Sequence, residues 1–86
     1  PEAFTPNGDG VNDKIYVKGW GIKELITFKV YNRWGELVFQ TDDLEEGWDG
    51  FYKNEPQNPG TYSYYVKAKS YTGEIGAEKG MFNLVR

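Results

Sequence analysis

The sequence predicts an all-β fold, an antiparallel β-sandwich of about six short strands. Several runs alternate apolar and polar residues with a period of two, which is typical of half-buried strands. Turn-forming residues separate these runs, and no segment keeps the apolar spacing of a helix. The chain has 86 residues, which fits one domain, and 17% of them are aromatic rings that can fill a small core. A small open barrel is the alternative architecture.

A hairpin in the middle of the chain, residues 26–41, is the predicted centre of the fold. Two alternating runs flank a short turn. The apolar residues predicted to share a face within each run are Ile26, Phe28 and Val30 in the first and Leu37 and Phe39 in the second. The turn motif consists of Tyr31, Asn32, Arg33, Trp34 and Gly35. Gly35 can adopt a positive φ, which favours a tight reversal with a glycine bulge.

The other strands are predicted on both sides of this hairpin. Residues 14–18 alternate as a first strand, and residues 22–31 form the strand that enters the hairpin turn. Residues 61–71 form the longest predicted strand, and residues 72–74 form a second tight turn. A last strand is predicted within residues 81–86, where apolar residues again alternate between two faces.

Composition argues against several functional classes. The net charge is −3, and the lysines and arginines are spread among acidic residues without a basic patch in the sequence. This distribution argues against nucleic-acid binding through phosphates. No apolar run approaches the ~20 residues of a membrane helix, and the sequence shows no signal peptide or lipidation motif. Because the chain begins abruptly at Pro1, we expect residues 1–86 to be one domain of a longer protein.

Catalysis finds little support in the sequence. The chain has no cysteine and no histidine, so thiolate or imidazole metal sites and the usual nucleophile–base pairs are excluded. Two acidic pairs, at residues 42–43 and 45–46, lie in a polar loop. A general acid or base needs a perturbed pKa near a pocket, whereas carboxylates on such a loop are usually solvated.

An oxygen-rich loop near the start follows the first half of a calcium-binding loop. Oxygen ligands recur at alternate positions, and Gly10 stands where such loops turn sharply. The candidate calcium ligands are Thr5, Asn7, Asp9, the carbonyl of Val11, and Asp13. Tyr16 stands where a bidentate glutamate is expected, and Asp49 is a candidate for the missing ligand. The alternative interpretation is a set of turns in which the Asn and Asp side chains bond their own backbone.

A second motif, Trp48, Asp49 and Gly50, permits two interpretations. In the first it is a turn in which Trp48 covers the end of the sandwich and Asp49 accepts backbone N–H bonds. In the second, Trp48 joins Trp20 and Trp34 in an exposed platform that stacks on sugars. The second interpretation would make the domain a surface binding module, adhesin-like, for a glycan or protein ligand.

Five segments in fixed order carry a family resemblance. They are FTPNGDGVND, YNRWGELVF, WDG, GTYSYYV and KGMFNLVR. Together they resemble the gliding motility-associated C-terminal domain, a type B cargo domain of the type IX secretion system, over nearly the whole chain. The resemblance implies an Ig-like β-sandwich of about six to seven short strands.

The same resemblance implies a function. Such a domain would be a non-catalytic C-terminal sorting signal that directs a large cargo protein through the periplasm to the cell surface or medium. The type IX secretion machinery would recognise it as a folded β domain, with an outer-membrane protein of the PorP/SprF kind as partner. No nucleic acid, membrane insertion or cofactor other than calcium is expected.

The final strand is the candidate recognition edge, because a sheet edge can pair with a partner's strand. Its residues are Gly80, Met81, Phe82, Asn83, Leu84, Val85 and Arg86. The alternative interpretation is an ordinary strand inside the sandwich, since edge status is invisible in a sequence.

Overall fold

The computed structural model describes residues 3–4, 14–17 and 21–85, and of residues 3–4 only the backbone. This part of the chain holds seven strands and no helix, which confirms the predicted all-β fold. The strands are β1 (Ala3–Phe4), β2 (Ile22–Tyr31), β3 (Leu37–Thr41), β4 (Phe51–Tyr52), β5 (Glu55–Pro56), β6 (Gly60–Ser70) and β7 (Ile75–Leu84).

Five of the strands form one sheet, in the order β1-β7-β6-β2-β3. The pairs β7–β6, β6–β2 and β2–β3 are antiparallel, as predicted. The pair β1–β7 is parallel, and it aligns Ala3 with Asn83 and Phe4 with Leu84. Strands β4 and β5 form a separate two-stranded antiparallel ribbon. The arrangement of the two sheets is consistent with a small β-sandwich.

The core lies on one face of the five-stranded sheet and is rich in aromatic rings. Trp48 is 1% exposed, and its ring centroid lies 5.1 Å from Tyr62 and 6.1 Å from Phe82. The Tyr62 and Phe82 rings stack on each other at 6.0 Å. Buried apolar residues around them are Leu25, Phe28, Val30, Val38 and Leu84. Aromatic pairs at these distances contribute about 0.5–1.5 kcal/mol beyond the area that they bury.

Two β-bulges change which residues of the central hairpin face the core. A register shift between Leu25 and Thr27 buries Leu25, whereas Ile26, predicted to face the core, is half-buried. A second shift, between Val30 and Tyr31, buries Val38 and leaves Leu37 38% exposed. The predicted pairing of Leu37 with Phe39 on one face is therefore wrong. A bulge adds one residue to a strand, so strict alternation fails beyond it.

The last strand is longer than the sequence predicts, because it begins at Ile75 and not near residue 81. It pairs with β6 without interruption, from Lys69 opposite Ile75 to Gly60 opposite Leu84. The predicted strand at residues 14–18 is reduced, within its described residues 14–17, to one bridge between Ile15 and Trp48. The backbone N–H of each of these two residues donates to the other's carbonyl at 2.9 Å.

Two glycines on the core-facing side of β7 make a matched pair for a stability test. A Cβ at Gly80 would lie less than 3.0 Å from the Tyr64 ring, whereas a Cβ at Gly76 would meet nothing within 4 Å. We expect Gly80→Ala to lower the free energy of unfolding by about 1–3 kcal/mol, because the Tyr64 ring must move out of its packing. Gly76→Ala should instead raise it by roughly 0.5–1 kcal/mol, because alanine loses less entropy in a strand.

Urea denaturation of both variants measures the difference. Equal effects at Gly80 and Gly76 would contradict the close approach of Tyr64 to β7.

Candidate functional site

The motif between β2 and β3 is a turn built around a buried amide. Asn32 is 7% exposed, and its Oδ1 accepts the backbone N–H of Trp34 at 3.0 Å and of Glu36 at 2.9 Å. Its Nδ2 donates to Oε1 of Glu36 at 2.8 Å. Gly35 has φ of 81°, a conformation that glycine adopts without a steric penalty. The sequence predicted the turn here, and the Asn32 side chain holds it closed.

The second turn motif is also structural. Trp48 is buried, and its Nε1 donates to the carbonyl of Phe51 at 2.9 Å. Oδ1 of Asp49 accepts the backbone N–H of Phe51 at 3.0 Å, and Gly50 has φ of 83°. These contacts are those that the turn interpretation predicts for Trp48 and Asp49.

The three tryptophans do not form one exposed platform. Trp48 lies in the core, whereas Trp34 is 73% exposed at the tip of the hairpin turn. The Arg33 guanidinium lies over the Trp34 ring, 4.7 Å from its centroid. Trp20 lies outside the described residues. Because Trp48 is buried, it cannot join Trp20 and Trp34 in an exposed platform that stacks on sugars.

The acidic loop after β3 uses its side chains to hold its own backbone. Thr41 Oγ1 donates to Oε1 of Glu46, and it accepts the N–H of Asp43 at 3.1 Å. Oδ1 of Asp43 accepts the N–H of Glu45 at 2.9 Å. These carboxylates are exposed, and in this arrangement they stabilise a turn instead of forming a buried acid–base pair.

A shallow depression lies beside the hairpin turn, lined by residues 32–34 and 58–62. Its volume is about 30 Å³, which is room for roughly two water molecules. Small-molecule sites are usually about 300–1,000 Å³. This depression is therefore too small to enclose a substrate.

Several predicted site residues lie outside the described part of the chain. They are Thr5, Asn7, Asp9, Val11, Asp13 and Arg86. Across residues 14–17 and 21–85, no three acidic side chains come together in a way that could hold a metal ion. The exposed Asp49, suggested as a further calcium ligand, bonds the N–H of Phe51 in its own turn. The same described residues include no helix that could span a membrane.

The side chains of the predicted recognition strand divide between two faces. Phe82 and Leu84 are each 2% exposed and belong to the core. Met81 is 67% exposed and Val85 is 45% exposed. Asn83 is exposed as well, so Met81, Asn83 and Val85 are the described side chains of this strand that are available to a partner in the folded domain.

The backbone of β7 has one open stretch. Strand β1 pairs with β7 at Asn83 and Leu84, so this end of the predicted recognition edge already has strands on both sides. Upstream of Asn83, β7 pairs with β6 on one side, and among the described strands none pairs with it on the other. The stretch Ile75–Phe82 therefore carries the backbone groups to which another strand could be added.

A basic cluster is the feature that the sequence analysis missed. Lys29 on β2, Lys67 and Lys69 on β6, and Lys79 on β7 lie on the face of the sheet opposite the core. We call this surface the outer face. The sequence gives no local signal of this cluster, because the lysines are up to 50 positions apart and only the register of three strands brings them together.

The comparisons with known proteins support the resemblance stated above. The family model of the CHU_C type IX secretion signal domain matches residues 1–84. A search of curated proteins finds no match. The family match covers both turn motifs and all of β7 in an all-β fold. The chain therefore belongs to the CHU_C type IX secretion signal domain family.

Proposed function

We propose that this domain is a non-catalytic C-terminal sorting signal, which directs a large cargo protein through the type IX secretion system and is recognised in its folded form. The observation that carries the proposal is the family match over residues 1–84. Membership implies an exported cargo, bound for the cell surface or the extracellular space, and an interaction with the secretion machinery. Passage through the periplasm and a PorP/SprF-like outer-membrane partner are the finer parts of the proposal.

The burial of the motif residues supports recognition of the folded form. Trp48, Phe82 and Leu84 belong to two of the segments that carry the resemblance, WDG and KGMFNLVR, and each is at most 2% exposed. The Asn32 side chain is bonded within its own turn. A partner that binds the folded domain contacts the surface that these buried side chains support. We infer that the motifs maintain this surface and that the secretion machinery recognises it.

A reporter fusion tests the proposed function. The reporter carries this domain at its C-terminus and is expressed in a bacterium with a type IX system and in the same bacterium without that system. A reporter that lacks the domain is the control. We expect the reporter at the surface or in the medium only when both the domain and the system are present. Export without the system, or retention with it, would contradict the proposed function.

The open stretch of β7 is the proposed strand-addition site of this signal. Hydrogen bonds alternate along an antiparallel pair, and the N–H of Ser70 donates to the carbonyl of Glu74. The hydrogen-bonded pairs therefore recur at every second position, beginning with Ser70 and Glu74. Ala77, which is aligned with Lys67, belongs to one of the pairs between them, so its N–H points away from β6. Ala77→Pro should therefore remove an edge donor and leave the pairing with β6 in place. We expect a severalfold loss of export with a nearly unchanged melting temperature; unchanged export would contradict strand addition here.

Calcium binding by the loop at residues 5–13 also stays a proposal, which rests on the spacing of its oxygen side chains. An ion that binds only the folded state stabilises that state by mass action. We expect calcium to raise the melting temperature of the EDTA-treated domain, and an Asp9→Asn/Asp13→Asn variant to lose this response. An unchanged melting temperature in the parent would contradict the calcium site.

A further inference from the structure

The outer face of the sheet is basic although the chain as a whole is acidic. Lys29 lies between Phe28 and Val30, which are buried, so its side chain projects to the opposite side. On β6, Lys67 lies between Val66 and Ala68, which pack against the core. The same alternation places Lys79 beside the core-facing Gly80. Three strands thus direct lysines to one surface.

The register of the strands brings three of these lysines together. Lys29 and Lys79 both align with Tyr65, one on each side, and Lys67 follows two residues later on the same strand. Neighbouring strands lie about 4.8 Å apart, so the Cα atoms of Lys29 and Lys79 are separated by about 10 Å.

Neutral residues surround this lysine group in the described sheet. The residues aligned with its members are Gln40, Tyr65, Thr27 and Ala77. The fourth lysine, Lys69, differs because Glu24 is aligned with it. Like charges side by side repel each other, so a partner with the opposite charge would relieve the repulsion among Lys29, Lys67 and Lys79.

The acidic residues of the loop after β3 lie on the other side of the domain. Leu44 and Trp48 of this segment pack on the core face of the sheet. The acidic residues carried by the segment are Asp42, Asp43, Glu45, Glu46 and Asp49. The fold therefore places these five carboxylates and the group of Lys29, Lys67 and Lys79 on different sides of the domain.

An apolar row borders the lysines. Tyr31 aligns with Leu37 on one side and with Ser63 on the other, and Ser63 aligns with Met81. Met81 is 67% exposed and Leu37 is 38% exposed. Aromatic residues and methionine are enriched in protein interfaces, and charges around them steer and orient a partner. The proposed sorting function favours a protein as the partner, and a lipid surface, which would use the same two features, is an outcome of the test below.

Resting on the function proposed above, we propose that the outer face docks onto a protein of the secretion machinery. That protein presents carboxylates to Lys29, Lys67 and Lys79, and apolar side chains to the row from Leu37 to Met81. Docking through this face contacts Tyr31 at the start of the first turn motif and leaves the buried side chains of Asn32 and Trp48 in place.

The test uses the reporter fusion and two matched charge reversals. K29E/K79E reverses the charges on both sides of Tyr65, and K14E/K53E makes the same change of net charge at exposed lysines outside the outer face. We expect K29E/K79E to reduce export roughly tenfold, because complementary charge governs encounter and orientation. K14E/K53E should export like the parent, and so should K29R/K79R, which retains the charge. Thermal melting of each purified domain establishes that it folds, and K29Q/K79Q replaces K29E/K79E if the latter does not fold.

Export of folded K29E/K79E at the parent level would overturn the docking proposal alone, whereas failure of the parent fusion would overturn the proposed function together with it.

Two other occupants are checked with the same variants. Sedimentation with phosphatidylglycerol vesicles detects a lipid surface, and analytical ultracentrifugation detects a second copy. If K29E/K79E loses vesicle binding or self-association but is still exported, the proposal that the partner is a protein of the secretion machinery is overturned. Loss of export without either effect supports it.

Discussion

Replacement of Trp48 by alanine is expected to lower the free energy of unfolding by about 3–5 kcal/mol, the usual cost of removing a buried tryptophan. The side chain is 1% exposed and contacts the rings of Tyr62 and Phe82. Its Nε1 also donates to the carbonyl of Phe51, a bond that alanine cannot make. Small domains have a total stability of about 5–15 kcal/mol. The variant should therefore be close to unfolding at growth temperature.

Trp34→Ala is the matched control for this change. Trp34 is 73% exposed, and its contact with the Arg33 guanidinium is the kind that contributes about 0.5–1 kcal/mol at exposed sites. Urea denaturation followed by circular dichroism compares the two variants with the parent. A loss at Trp48 no larger than the loss at Trp34 would contradict the placement of Trp48 at the centre of the core.

Replacement of Asn32 by alanine should cost about 2–3 kcal/mol, because each intramolecular hydrogen bond contributes about 1 kcal/mol net. The amide makes three such bonds, to the N–H groups of Trp34 and Glu36 and to the Glu36 carboxylate. These bonds close the turn between β2 and β3, the strands on which the aromatic residues Phe28 and Phe39 meet at 6.0 Å. The loss is measured by the same denaturation experiment.

Two variants separate the role of the Asn32 amide from a general effect of removing an asparagine. Asn58→Ala removes an exposed amide, and such surface changes usually stay within about 0.5 kcal/mol. Asn32→Asp places a carboxylate opposite that of Glu36, and adding Glu36→Gln restores a donor to the pair. We expect N32D/E36Q to recover part of the stability that N32D loses. Equal losses for N32A and N58A would show that the turn does not depend on this amide.

The strand pattern could be predicted from the sequence where alternation is unbroken. On β6, and on β2 after its bulge at Leu25, the alternating residues identify the strands, and glycines at positions 35 and 73 form the two hairpin turns. Alternation fails at the bulges, which is why Val38 and not Leu37 lies in the core. The first half of β7 was missed because glycine, lysine and glutamate dominate it, and its structure depends on pairing with β6.

The candidate functional surface was less predictable than the fold. Local spacing indicates a turn at residues 31–35 and at residues 48–50, since turn chemistry depends on neighbours in sequence. The outer-face lysines are distant in sequence, and a shift of one residue in register would send a whole strand to the other face. Such a surface becomes visible only when the pairing of β2, β6 and β7 is known.

Export as a function of folded fraction tests the central claim most directly. The reporter is fused to the parent domain and to the Trp48→Ala, Asn32→Ala, Gly80→Ala, Gly76→Ala and Trp34→Ala variants, and the exported share of the intact reporter is measured in the same cells. Denaturation curves of the purified domains supply the folded fraction of each variant. The account predicts that the exported share falls with the folded fraction, with Trp48→Ala lowest and Trp34→Ala close to the parent. Equal export of Trp48→Ala and the parent, with Trp48→Ala shown to be unfolded, would contradict recognition of a folded domain.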